Sequence, residues 1–251
     1  MDSALIPGWY GKMPARGDFS SRRLSIEFIQ FWDTWLQISI SASHTQLGRS
    51  WLSLYLNCPI WRFILMPEIY NQNIWTGILM PSVDKVGRYF PLTITVQLEA
   101  SPGVLTTILN AQTWFTEIEQ LALESLNASF SPEDLDQGLK EKPFPAHKIG
   151  SSNPAIQEFI HWWNSDTNIT RNGEQDEKRK PFGIEDMPLF FSSLMDYEFT
   201  QSESHKTLWW NVVLNTNIVQ LECFNDLPDT EQFITLLKGN DSLSTGSGTM
   251  D

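Results

Sequence analysis

Cysteine is scarce in this chain: its 251 residues include two, Cys58 and Cys223. Neither has a CxxC partner, which removes a thiolate metal site and a dithiol redox motif from consideration. Each lies in or beside an apolar run, so both are expected as buried free thiols of a reducing compartment, with a disulfide as the lesser alternative. Positive charge is scarce as well. Lys and Arg number 17 against 30 Asp and Glu, for a net charge of −13. Such a surface repels phosphate backbones and anionic lipid, so neither nucleic acid nor a membrane surface is an expected partner. Basic patches on protein partners would be attracted. No run of about 18 apolar residues occurs, so no membrane insertion is expected. The opening MDSALIPGWYGK has neither a charged n-region nor a long apolar core, so no signal peptide is expected and the cytoplasm is the expected location.

The chemical motifs of common enzymes are missing too. There is no glycine-rich phosphate loop, dinucleotide fingerprint or GxSxG elbow. His44, His147, His161 and His205 are scattered, without a second ligand at metal spacing on any expected element. No metal and no cofactor are expected. The carboxylates Asp18, Asp33, Glu68, Asp84 and Glu99 form no pair at acid–base spacing, so no catalytic residue is assigned.

What the chain has in quantity is apolar and aromatic material, with 41% hydrophobic residues and 11 Trp. That suffices for one large domain or two small ones with a sizeable core. Most of the Trp should be core, although a surplus of Trp also suits an interaction surface. The organising stretch is GILMPSVDKVGRYFPLTITVQL, residues 77–98. Ile78, Leu79 and Met80 form an apolar run between Trp75 and Pro81. Leu92, Ile94, Val96 and Leu98 alternate with Thr93, Thr95 and Gln97, a period of two that predicts one buried face and one polar face. Asp84 and Gly87 suit a tight turn between the strands. Asp84, Lys85 and Arg88 are therefore expected together at a hairpin tip, with Tyr89 and Phe90 as its hydrophobic return.

Along the rest of the chain, Trp9, Tyr10 and Gly11 read as a short first strand, followed by a loop over residues 12–23. Ser25 suits a helix N-cap, with Glu27 in the first turn and an apolar face of Phe28, Ile29, Trp32, Trp35, Leu36 and Ile40. That helix is expected to run to about residue 43. A short helix over 51–56, a strand over 61–66 and a turn over 67–72 follow. Ser101 and Pro102 predict the start of a single helix reaching about residue 127. Ser131 and Pro132 start a short helix, and Asn153 and Pro154 another, with Ile156, Phe159, Ile160 and Trp163 inward and His161 outward. Residues 165–180 are polar and charge-rich and read as a mobile loop. Residues 208–214 and 218–224 read as paired strands around a turn at 215–217. Asp229 and Gln232 form a capping-box pattern for a last helix that Gly239 stops. Residues 240–251 are expected to be a disordered tail. Hairpin-paired strands with separate helical runs predict an α+β fold, an antiparallel sheet core covered by helices in a single domain over 1–239. Residues 130–204 are expected as a helical, loop-rich insertion or flap.

Candidate binding residues come from two loops and one strand. Lys12, Arg16, Arg22 and Arg23 make a basic island on an acidic chain, and Asp18 lies within it. Arg16-Gly17-Asp18 spells an adhesion tripeptide, which in a chain without an export signal is coincidence; a local turn is the plainer reading. Asp84 and Arg88 either brace the hairpin tip or meet a partner there. Trp209 and Trp210 point to opposite faces of a strand, so one should be core and the other, under a helix or on the surface, an anchor for a partner.

Three stretches carry a resemblance to a known family: GWYGKMPARGDFSSRRL with FWDTWLQ, the hairpin of residues 77–98, and TLWWNVV with CFNDLPDTEQFITLLKG. In this order and over most of the chain they resemble the type VI secretion-associated TagF family, with little of the likeness in residues 130–204. The resemblance implies a post-translational negative regulator of type VI secretion that binds a cytoplasmic scaffold protein with a forkhead-associated (FHA) domain. It implies no catalysis. Some TagF-like domains are joined to a metal-dependent phosphatase domain, whose Asp-Gly-rich stretches are missing here. A structural subunit of the secretion apparatus and a small hydrolase with an unrecognised site are the alternatives.

Overall fold

The computed structural model describes residues 4–101, 103–145, 205–212 and 219–239. Its strands are β1 (Gly8–Gly11), β2 (Ser20–Arg22), β3 (Trp61–Leu65), β4 (Ile74–Met80), β5 (Leu92–Leu98), β6 (Lys206–Val212) and β7 (Val219–Asn225). They form a seven-stranded sheet in the order β2-β1-β5-β4-β3-β6-β7, each neighbouring pair antiparallel. The helices are α1 (Ile26–Leu47), α2 (Trp51–Asn57), α3 (Val104–Asn110), α4 (Gln112–Glu124), α5 (Pro132–Lys140) and α6 (Thr230–Lys238). The fold class is α+β, an antiparallel sheet covered by helices. The expected helix at Asn153, the loop at 165–180, the turn at 215–217, the tail, and His147 and His161 lie outside the described residues.

The chain divides into two compact units. The first is Met1–Glu99, Ala111–Pro145 and Glu203–Asp251; the second is Ala100–Asn110 and Ala146–Ser202. Within the second, α3 buries Val104, Leu105 and Ile108 along one side. All of the sheet belongs to the first unit.

The pleat assigns the strand residues to two faces. Register pairs Tyr10 with Thr93, Thr93 with Leu79, Leu79 with Trp61, and Phe63 with Trp209, so these share one face. Helices α1, α2 and α6 cover it, with Phe28, Trp32, Leu36, Trp51, Tyr55, Phe233 and Leu237 in one cluster with the strand aromatics. Phe28 stacks on Trp75 at 3.9 Å, and Trp32 lies 5.2 Å from Phe63. On the opposite face Arg62 is buried under α4, where Glu119 takes its guanidinium through two oxygens at 2.6 and 2.9 Å. Phe115 of α4 meets Trp210 edge-on at 5.2 Å. Helix α5 packs behind α4.

Helices on both faces overturn one expectation. Thr93 and Thr95 do not face water; both are fully buried. Their hydroxyls are satisfied inside, Thr93 accepting from the Trp32 indole at 2.8 Å and Thr95 donating to the Thr76 carbonyl at 2.8 Å. Buried hydroxyls with partners cost little, which is why this strand tolerates a polar row in the core.

Local signals set several element ends. Ser25 accepts the Phe28 N–H, Ser131 and Asp134 form a capping box, and so do Asp229 and Gln232, with Gly239 at φ 49 closing α6. Helix α1 continues to Leu47 rather than residue 43. The expected single helix over 102–127 is two: Ala111, at φ −80 and ψ 33, separates α3 from α4. The loop over 12–23 contains the edge strand β2. Of the two thiols, both free, Cys223 is exposed, not buried, because alternation in β7 puts it on the same uncovered side as Val219 and Leu221. The Cys58 thiol is pushed up to about 12 by burial. Every described Trp except the half-buried Trp35 is buried.

Candidate functional site

The hairpin loop between β4 and β5 is organised by one carboxylate. Asp84 Oδ1 accepts the N–H groups of Val86 at 3.0 Å and Arg88 at 2.9 Å, folding the chain back on itself. The Asp84 N–H donates to the Arg88 carbonyl and the Gly87 N–H to the Asp84 carbonyl, each at 3.0 Å. Gly87 sits at φ 85, a backbone angle that favours glycine. The second oxygen, Oδ2, accepts from Lys12 Nζ at 3.0 Å and Arg88 Nε at 2.7 Å. Burial works against this carboxylate's charge, but the hydrogen bonds from the Arg88 backbone, Lys12, the Arg88 side chain and the Val86 backbone outweigh it. Together they hold the carboxyl well below the usual range.

The same carboxylate ties this loop to the one between β1 and β2. The Lys85 N–H donates to the Arg16 carbonyl at 2.9 Å, the Arg88 guanidinium to the Gly17 carbonyl, and the Ser82 hydroxyl to the Lys12 carbonyl at 2.8 Å. Helix α2 adds a third support. The Tyr55 hydroxyl donates to the Ser82 carbonyl at 2.9 Å and accepts the Ser82 N–H at 3.1 Å. Beneath lies an aromatic floor: Phe19 stacks on Tyr10 at 5.4 Å and meets Phe90 edge-on at 4.8 Å, with Lys12 Nζ 4.9 Å from the Phe19 ring centre.

The basic island meets acid from α5. Arg16 and Arg22 both reach Glu133 Oε1, at 3.6 and 3.5 Å. Arg23 donates to the Pro7 carbonyl at 2.9 Å and pairs with Asp136, which also holds Lys140 at 2.8 Å. These partners lower the Asp136 carboxyl despite its burial. Asp18 accepts the N–H of its own neighbour Phe19 at 2.9 Å. Arg16, Gly17, Asp18, Phe19, Ser20, Arg22, Pro132 and Glu133 line an open cleft of about 470 Å³.

Of the candidate residues, the structure brings Lys12, Arg16, Asp84 and Arg88 into one corner, with Asp18, Arg22 and Arg23 adjoining it. Three need correction. Asp84 is not an exposed tip charge, and Lys12 is not an exposed member of the basic island: they are 3% and 6% exposed, each neutralising the other beneath the loops. Trp209 is fully buried in the core against Phe63 and Trp35, and Trp210 is buried as well, so neither presents a surface anchor. Arg16, Asp18, Arg22 and Arg88 are exposed. Sequence reasoning missed Glu133, which with Asp134 reads only as the acidic first turn of an ordinary helix start, and Asp136 one turn further on. It also missed Tyr55, which nothing local distinguishes from other core aromatics. Among the described residues no group of three His, Cys, Asp or Glu is placed to hold a metal ion.

Residues 8–142 match the model of the TagF N-terminal domain, described as type VI secretion system-associated. The chain belongs to the TagF family. The matched TagF stretch runs from β1 to the end of α5, and so contains both loops, Tyr55, and the acids of α5 that meet the arginines. Among solved structures, this TagF chain is similar to PA0076 from Pseudomonas aeruginosa PAO1, at 26% identity and a TM-score of 0.67 over 98% of this chain and 96% of that one. Among curated proteins, none matches it. Among the described residues no helix is long and apolar enough to cross a membrane.

Proposed function

We propose that this TagF-family chain is a post-translational negative regulator of type VI secretion. It acts in the cytoplasm by stoichiometric binding to the FHA-domain scaffold, which is then unavailable for assembly. The observation that carries this reading is the match of residues 8–142 to a type VI secretion-associated domain. Among the described residues, the state of the buried and half-buried charges supports a binding role rather than catalysis. Asp84 is held by Lys12 and Arg88, Asp136 by Arg23 and Lys140, and Glu119 by Arg62, so each is committed to holding elements together. The exposed Arg16, Asp18, Arg22 and Arg88 form the surface we assign to the partner.

The test is secretion of the tube protein in strains that lack or overproduce this chain. Deletion should raise secretion and overproduction should lower it, and the purified chain should retain the scaffold in a pull-down. Unchanged secretion in both strains would sink the regulator. Retention of a baseplate or sheath protein in place of the scaffold would make the chain a structural subunit.

A further inference from the structure

We infer that the cleft between the β1–β2 loop and α5 takes a carboxylate-rich segment of a protein partner, and that Glu133 occupies that place in the free protein. The inference rests on the reading of this chain as a binding protein, and it adds the chemistry of what is bound.

Two guanidinium groups, those of Arg16 and Arg22, converge on the cleft and share a single oxygen, Glu133 Oε1, at 3.6 and 3.5 Å. A guanidinium prefers to grip a carboxylate through two parallel N–H donors. Glu133 satisfies neither arginine in that way. Arg22 spends one further donor on the Ser21 carbonyl at 2.8 Å. The two side chains are 56% and 46% exposed, and the Glu133 side chain is 59% exposed. An ion pair so open to water is worth about 0 to 1 kcal/mol, so an incoming carboxylate displaces it at little cost. Asp18, the other acid in the cleft, has its Oδ1 engaged by the Phe19 N–H. On the same pair of loops the exposed Lys85 and Arg88 extend the positive surface, with Val86 67% and Phe19 39% exposed as apolar contacts.

Two features separate this cleft from an ordinary charged surface. Once Glu133 gives way, the cleft offers Arg16 and Arg22 against Asp18, a positive balance that the exposed Lys85 and Arg88 extend, while the chain carries a net charge of −13, so an acidic segment finds attraction here and repulsion over most of the remaining surface. Its geometry is also fixed in advance. The loop that carries Arg16 is tied to the hairpin loop by the buried Lys12–Asp84 pair and by three backbone-directed bonds. A fixed loop gives up less freedom on binding. Gly17 leaves room for the guest: a Cβ built on it meets nothing within 4 Å.

The experiment titrates the full-length chain into pools of fluorescein-labelled peptides, one rich in Asp and Glu with interspersed Leu, one with Gln in place of the acids and one with Lys. Anisotropy should rise for the acidic pool alone, and the affinity should fall with added salt. Arg16→Glu with Arg22→Glu should weaken binding at least about tenfold, the loss typical of central charged contacts. Arg49→Glu with Lys238→Glu makes the same change in net charge elsewhere and should alter it by no more than about twofold. Gly17→Trp should block the cleft without altering any charge. Glu133→Gln should strengthen binding by up to about fivefold, the worth of the pair it releases. No binding of the acidic pool, an equal loss in the control pair, or weaker binding by Glu133→Gln overturns the inference. Purified scaffold is the second titrant. Scaffold that binds the Arg16→Glu, Arg22→Glu protein as tightly as the wild type overturns the cleft but spares the regulator. Acidic peptides that bind while the scaffold does not leave the cleft standing and remove the regulator.

Discussion

Lys12 and Asp84, 72 positions apart in the sequence, meet at 3.0 Å with side chains 7% and 0% exposed. One follows the first strand and the other lies between the two central strands, so their contact fastens two loops that local structure alone would leave independent. Each charge is satisfied: Asp84 accepts four hydrogen bonds and Lys12 has Asp84 on one side and the Phe19 ring on the other. A buried ion pair adds little net stability compared with apolar residues, but removing one partner leaves the other uncompensated. Its physical consequence here is position, because it sets where Arg16 and Arg88 emerge.

Asp84→Ala is therefore expected to destabilise the fold by about 3 kcal/mol, the low end for breaking a buried pair, since this one lies close beneath a surface loop. Lys12→Met should cost less, about 1–2 kcal/mol, because Asp84 keeps Arg88 and two backbone N–H groups. Urea unfolding of the three proteins measures both. Equal midpoints for Asp84→Ala and wild type would show that the loops are held without the carboxylate.

The same group sets an acid limit. The Asp84 carboxyl is held below its unfolded value of about 4. For a depressed carboxyl, the added stability is complete above the unfolded pKa and is lost as pH falls toward the folded one. Asp136, also depressed, acts in the same direction. Wild-type stability should thus decline as pH drops from about 5 to 2, and Asp84→Asn should show a shallower decline over that window. Unfolding midpoints measured across it decide the matter; parallel curves would remove Asp84 from the acid response.

The parts legible in sequence are those with short-range causes. The capping box of Asp229 and Gln232 places the start of α6, and the alternation of Leu92, Ile94 and Val96 gives β5, because each signal is complete within a few residues. The corner is half legible. A turn at Asp84 and Gly87 follows from their side chains and backbone preferences, and a brace between Asp84 and Arg88 is one of the two roles their spacing allows. Burial of Asp84 follows from Lys12, and no local pattern relates two residues that distant. Thr93 and Thr95 suggest a wet face because hydroxyls usually mark one; the Trp32 indole of α1 and the Thr76 carbonyl of β4 supply their partners instead. The break at Ala111 carries no Gly or Pro and comes where the chain leaves one compact unit for another.

Close backbone approach gives a further expectation. A Cβ on Gly77 would stand 2.0 Å from the Ile94 carbonyl oxygen and 2.7 Å from Thr95 Cα, both backbone atoms of the paired strand. Gly77→Ala must push β4 from β5 at the centre of the sheet and should cost about 1–3 kcal/mol. Gly17→Ala, whose Cβ meets nothing within 4 Å, should stay within about 0.5 kcal/mol of wild type. Thermal unfolding of both variants gives the comparison, and a neutral Gly77→Ala would mean that the strands part at no cost.

In cells the two kinds of residue in this corner should fail differently. Asp84→Ala removes a buried support, so it should lower the amount of folded protein, and a loss of about 3 kcal/mol is enough to change abundance several-fold. Arg16→Glu with Arg22→Glu alters side chains that are about half exposed; each holds one long contact to Glu133, to which Arg22 adds the carbonyl of its neighbour Ser21 and the Trp9 ring, so abundance should stay near the wild-type level. Both should release type VI secretion, by separate routes. Overproduction should restore repression to Asp84→Ala, because the folded fraction retains the same surface, and should restore little to the arginine variant. Immunoblots of the chain beside secretion of the tube protein, at two expression levels, separate the cases. If overproduced Arg16→Glu, Arg22→Glu protein represses as fully as wild type, the arginines do not contact the partner and the surface must be sought elsewhere on the first unit.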